Sequence, residues 1–170
     1  MKLWQCRGKN DKTPEDSILP YVQEFIVKND MTLHEKPNYI GFVKAGGKYH
    51  DLYNLPDNIE VQGSLDLSEC DDRLRLPVGM KVQYDLELNG KYYGSSVFGK
   101  VQATSITYIW RNEKGEDHHI GGPSAIVQDG RTGEIQQFQW AENNEAVTPS
   151  YQEYSMAKKR WNNGKDPVYD

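Results

Sequence analysis

The stretch LPDNIEVQGSLDLSECDDRLR (residues 55–75) runs directly into LPVGMKVQYDLELNGKYYGSS (residues 76–96), and the two align without a gap. Leu55 falls on Leu76, Pro56 on Pro77, Ile59 on Met80, Val61 on Val82, Leu65 on Leu86 and Leu67 on Leu88. The 21-residue step from Leu55 to Leu76 lies within the roughly 20–29 residues of leucine-rich coils. A unit of this kind has an apolar face that it cannot bury alone, so neighbouring copies stack on a shared core. A weaker third copy, KVQATSITYI (residues 100–109), fits if Val101 takes the place of Val82, Ile106 takes that of Leu86, and one extra residue is admitted between them. About three copies are needed for a stable stack, so the flanking segments are expected to close its ends. Cys70 occupies the last place of an LxLxxC slot, where a small buried residue belongs; Lys91 holds the same slot in the next copy, so no buried ladder continues there.

Working outward, the β-like texture begins at Tyr39 with YIGFV and AGGKYHDLYN, which places a stacked β region over residues 39–109. Upstream, TPEDSILPYVQEFIVKND predicts a helix over residues 13–29: Thr13 as cap, Pro14 at the first helical position, Asp16 as capping-box acid, and Ile18, Val22, Phe25 and Ile26 at helical spacing. Pro20 inside that pattern predicts a kink, or a start displaced to about Leu19. Downstream, YIWRNEKGEDHHIGGPS (residues 108–124) and FQWAENNEAVTPS (residues 138–150) share a Trp strand, a polar turn and a Pro-Ser exit, so residues 108–144 read as β-hairpins. Between them, SAIVQDGRTGEIQQFQW reads as strand, turn, strand. A C-terminal helix is expected over residues 149–163, with Ser150 and Glu153 at capping-box spacing, Gly164 at its end, and Tyr154 and Trp161 docking it on the sheet. The fold class expected is α+β: stacked short β-repeats and antiparallel hairpins flanked by an N-terminal and a C-terminal helix.

The 170 residues suit a single domain. Mean hydropathy is −0.83, yet aromatic residues make up 11% of the chain and bury large areas each, so the chain is polar but foldable. A net charge of −5 and a pI near 5.4 argue against general DNA binding. The acids concentrate between Asp57 and Glu87, with Glu69, Asp71 and Asp72 as a candidate acidic patch. Cys6 and Cys70 have no zinc spacing and are expected to be reduced thiols. The start MKLWQCRGKND has no apolar targeting segment, and no run has the roughly 20 apolar residues of a membrane span. A cytoplasmic location without membrane association is the expectation.

The LPDNIEVQGSLDLSEC copy resembles the short leucine-rich segments, of the type LPxxLxVxGxLDLSxC, of uncharacterised tailed-phage proteins. The HHIGGPSAIVQDG segment, with WRNEKG before it and QFQWAENNEAVTPSYQEY after it, is similar to a phage and bacterial repeat akin to MORN-like hairpin arrays. In that repeat a Trp strand, an Asn-Gly turn and a His-x-x-Gly-Gly-Pro-Ala corner recur. Ser124 stands where that repeat has Ala, and Asn143-Asn144 replaces Asn-Gly. The resemblance implies a phage accessory protein of β-hairpin build, and it carries no catalytic residues across.

For chemistry, His118 and His119 attract attention first. Neighbours on a strand point to opposite faces, so they make a poor pair for one metal ion, and one is expected to be a packed corner residue. Gly121, Gly122 and Pro123 lack P-loop spacing and read as a turn, and AGGK (residues 45–48) has no surrounding strand-loop-helix unit. Ser124 has no supported triad. Trp110, Trp140, Tyr108 and Phe138 could line an aromatic groove beside Arg111, or pair across strands. The candidate binding residues are thus Trp110, Arg111, Asp117, His118, His119 and Trp140; no catalytic residue, metal or cofactor is assigned. The expectation is a non-enzymatic phage accessory protein that binds a host protein in the host cytoplasm and inhibits a defence or regulatory system. The alternative is a small nucleotide- or phosphate-ligand-binding protein, or a hydrolase, using His118 and His119. Edge strands of the stack also offer a route to a homodimer.

Overall fold

Each repeat copy alternates apolar and polar residues over two short runs separated by a corner, a pattern that two strands per coil bury on one side. The computed structural model describes residues 2–3, 15, 17–33, 37–94, 97 and 100–168, and its fold is α+β. Cys6, the cap residues Thr13, Pro14 and Asp16, and the terminal Asp170 lie outside the described residues. At the N-terminal side β1 (Lys2–Leu3) pairs in parallel with β2 (Thr32–Leu33). Between them α1 (Leu19–Lys28) carries Pro20 in its first turn, where the missing N–H costs nothing, so the helix starts at Leu19 without a kink. The single turn α2 (Pro37–Ile40) leads into β3 (Phe42–Ala45) and β4 (Lys48–Asp51), an antiparallel hairpin closed by Gly46 and Gly47 at positive φ. Residues 39–51 are therefore a helical turn and a hairpin, and the stack begins later than Tyr39.

The stack proper has three coils. Its first strands, β5 (Glu60–Val61), β7 (Met80–Val82) and β9 (Val101–Gln102), form one parallel sheet. Its second strands, β6 (Leu65–Leu67), β8 (Asp85–Asn89) and β10 (Ser105–Ile109), lie parallel in another. The register places Leu86 between Leu65 on one side and Ile106 on the other, as the alignment requires. Val101, however, lies beside Met80 and not at the place of Val82. The third coil thus has one residue fewer between its inward positions, two between Ala103 and Ile106 against three between Val82 and Leu86, rather than one extra. Asn58 and Gly79, aligned in the two copies, both take positive φ, 59° and 73°, at the same bend.

The second sheet does not stop at the stack. β11 (Ala125–Asp129) and β12 (Ile135–Gln139) add to β10 in antiparallel fashion, giving the order β12-β11-β10-β8-β6. One buried row crosses all five strands: Leu67, Leu88, Tyr108, Ile126 and Phe138. The small hairpin β13 (Ala141–Glu142) and β14 (Glu145–Ala146) precedes α3 (Tyr151–Trp161). The Ser150–Glu153 capping box forms as expected, and Lys158, Lys159 and Arg160 sit in the last turn, where the helix dipole favours cations.

Val43, Ala45 and Leu52 join the coil residues in one core, so the β3–β4 hairpin closes the first coil. Ile126, Ile135, Phe138 and Ala157 form a second core under α3, with Tyr154 and Trp161 packed on it. Tyr93 and Trp110 pack on both cores. Among the described residues, no helix is long and apolar enough to cross a membrane.

Candidate functional site

The segment that holds the histidines closes a narrow hairpin. Trp110 accepts a hydrogen bond on its carbonyl from His118 N–H (3.0 Å), and Arg111 bridges to Asp117, with Nε 3.1 Å from Oδ1. The second hairpin closes in the same way, Val147 N–H donating to the Trp140 carbonyl (3.1 Å). Its corner, Asn143-Asn144, takes φ of 52° and 67°, which Asn tolerates in a two-residue turn. The two hairpins are knitted together: Asp117 N–H donates to Asn144 Oδ1 (2.7 Å), Asn144 N–H to the Asp117 carbonyl (3.2 Å), and Asn112 Nδ2 to Asn143 Oδ1 (3.0 Å).

His119 is the packed corner residue. Its ring stacks on Trp110 (4.9 Å between centroids, 11° apart) and meets Trp161 edge-on. Nδ1–H donates to the Pro123 carbonyl (2.9 Å), which fixes the tautomer, since a carbonyl can only accept. Burial holds the imidazole below its ordinary pKa against the opposing pull of that bond, and the charges of Arg160 and His118 act in the same direction as burial. His118 differs. Its Nδ1 is buried and, among the described residues, has no hydrogen-bond partner, and the same holds for Arg111 Nη1. Both histidines border a pocket of about 290 Å³ that Trp140, Glu142, Thr148 and Glu153 also line. Among the described residues no group of His, Cys, Asp or Glu could hold a metal ion.

The remaining aromatic candidates are packed. Trp140 lies against Phe138 (5.7 Å) and Tyr154 (5.9 Å), and Tyr108 and Phe138 are buried. Trp110 lies on Gly90, where a Cβ would overlap the indole. Aromatic area serves the junction of the two cores and the docking of α3.

The acidic knot is largely neutralised. Asp71 accepts from Arg73 Nη2 (2.7 Å) and from Tyr53 Oη (3.3 Å), and the Arg73 hydrogen bond lowers its pKa to about 2. Asp72 pairs with Lys91, and Glu69 accepts from Tyr39 Oη (3.0 Å). Burial, with the charges of Asp66, Asp71 and Glu69, pushes the Cys70 thiol up to about 12, which makes it a poor nucleophile.

Sequence reasoning passed over a groove on the coil face. The outer face of the β5–β7–β9 sheet presents one rung per coil, Glu60, Lys81 and Gln102, and beside it Gln62, Gln83 and Thr104. Arg131 and Gly130, from the β11–β12 turn, wall the same groove, whose volume is about 790 Å³. Lys81 Nζ is bonded to Glu60 Oε1 (2.6 Å), Gly63 N–H donates to Gln83 Oε1 (2.9 Å), and Thr104 Oγ1 donates to the Gln83 carbonyl (3.3 Å). The signal was available: these are the polar positions that alternate with Val61, Val82 and Ala103 in each copy. Compared with family models, curated proteins and solved structures, the chain matches none of them.

Proposed function

We propose that this protein is a non-enzymatic binding protein that offers the polar groove on the coil face to a protein partner. The observation that carries the reading is the repetition of that surface: two files of polar side chains, Glu60-Lys81-Gln102 and Gln62-Gln83-Thr104, step from coil to coil beside Arg131. Stacked repeats commonly recognise partners through such laterally extended surfaces. The commitment of Trp110, His119, Trp140, Tyr108 and Phe138 to packing supports the reading, because it takes these rings out of any exposed aromatic ligand groove. On the resemblance to tailed-phage accessory proteins, the partner is a host factor of the cytoplasm, and binding it inhibits a defence or regulatory system. The competing nucleotide- or phosphate-ligand reading at His118 and His119 is disfavoured by charge, because Glu142 and Glu153 line the same pocket.

The test is affinity capture from host lysate with the full chain and with a Lys81→Glu/Arg131→Glu variant. Both positions are exposed, so the variant is expected to fold. A partner held by the wild type and lost from the variant supports the proposal; a partner retained equally by both, or capture of none, counts against it.

A further inference from the structure

A third concavity lies where the chain passes from one coil to the next. Leu74, Arg75 and Leu76 from the first connection, Tyr92 from the end of the second copy, and Val97 and Lys100 from the next connection line an open pocket of about 500 Å³, together with Asp72 and Lys91. Its floor is apolar: Leu74 and Val97 are buried, and Leu76 and Tyr92 are half-buried against the same core. Tyr92 Oη donates to the Leu74 carbonyl (2.9 Å), which holds that ring in place as a wall.

The charge of this lining is unlike that of the whole molecule. Arg75, Lys91 and Lys100 stand against a single carboxylate, Asp72, in a chain whose net charge is −5. Asp72 is taken by Lys91. Among the described residues Arg75 and Lys100 form no ion pair, so two cations border an apolar floor without counter-charge. The volume falls in the range of roughly 300–1,000 Å³ that holds small molecules, and apolar lining with few polar groups at one side is how such sites orient a ligand. The guanidinium fork matches a carboxylate or phosphate in two-point contact, and a lysine adds a point charge.

We propose that this cavity binds a small organic anion, a carboxylate or phosphate monoester on an apolar body. The head group pairs with Arg75 and Lys100, and the body lies on Leu74, Leu76, Tyr92 and Val97. The site is separate from the polar groove, so its occupancy and partner capture succeed or fail independently.

Calorimetric titration of the full chain with octanoate, octyl phosphate, inorganic phosphate and octylamine tests this. Octanoate or octyl phosphate is expected to bind at least ten-fold more tightly than phosphate or octylamine, and the stronger of the two anions identifies the head group. An Arg75→Gln/Lys100→Gln variant is expected to lose that binding at least ten-fold, whereas Lys81→Glu retains it. In the unaltered chain, nuclear Overhauser contacts from the octyl chain to the Leu74, Leu76 and Val97 methyls give an answer that depends on no variant. Equal binding of octylamine, unchanged binding by the double variant, contacts elsewhere, or no binding of either anion at millimolar concentration would overturn the proposal.

Discussion

Packing of the His119 ring between Trp110 and Trp161 disfavours its charged form, so the folded state binds a proton less readily than the unfolded chain does. Stability from this residue is therefore fully present above the unfolded pKa of about 6.5 and is lost as pH falls through that value toward the lower folded one. The melting temperature is expected to fall on acidification through this window, and His119→Phe, which keeps a ring but cannot titrate, is expected to flatten that part of the profile. Carboxylates such as Asp71, held near 2, act at much lower pH and do not obscure it. His119→Ala removes a packed ring and is expected to cost about 2–4 kcal/mol. His118→Leu removes a buried Nδ1 that has no hydrogen-bond partner among the described residues and is expected to change stability by less than about 0.5 kcal/mol, or to raise it. Urea titrations of the three variants check these outcomes; equal losses for His118→Leu and His119→Ala would contradict the different roles given to them. The sequence shows the two as a pair, because a repeat corner marks where a chain bends and not which ring the bend turns inward.

At the level of elements, the contact of Trp110 with Gly90 joins the end of the second coil to the first hairpin. Any Cβ at position 90 forces the indole to move, so Gly90→Ala is expected to cost about 1–3 kcal/mol and to shift tryptophan emission to the red. A double-mutant cycle with Trp110→Leu should show strong non-additivity, and simple additivity would sink the assignment. The helix α3 was legible to within a few residues, because its capping box and last-turn basic residues are local signals. The third coil was legible only as an approximate copy. Val101 and Ile106 are both inward, but whether the corner between them gains or loses a residue depends on hydrogen bonds to β7 and β8, and the one-dimensional pattern does not record them.

For the molecule as a whole, the shared residues Tyr93 and Trp110 couple the coil core to the core under α3. Leu86→Ala, at the middle coil and far from α3 in sequence, is expected to cost about 2–5 kcal/mol. It should lower the midpoints of far-ultraviolet circular dichroism and of tryptophan fluorescence together; a tryptophan signal that stays in place would mean that the two cores melt separately. The sequence by itself determined the repeat, its inward leucines and valines, the α+β class and the local helix signals, because burial periodicity and capping are written in neighbouring residues. Only the tertiary structure decided that the five-stranded sheet merges coils with hairpins, that Arg73 and Lys91 neutralise two acids of the knot, and that Glu60, Lys81 and Gln102 line up on one groove. The sheet order and the groove depend on which backbones lie side by side after stacking. The fate of the acids depends on where the cationic side chains come to rest once the backbone is folded.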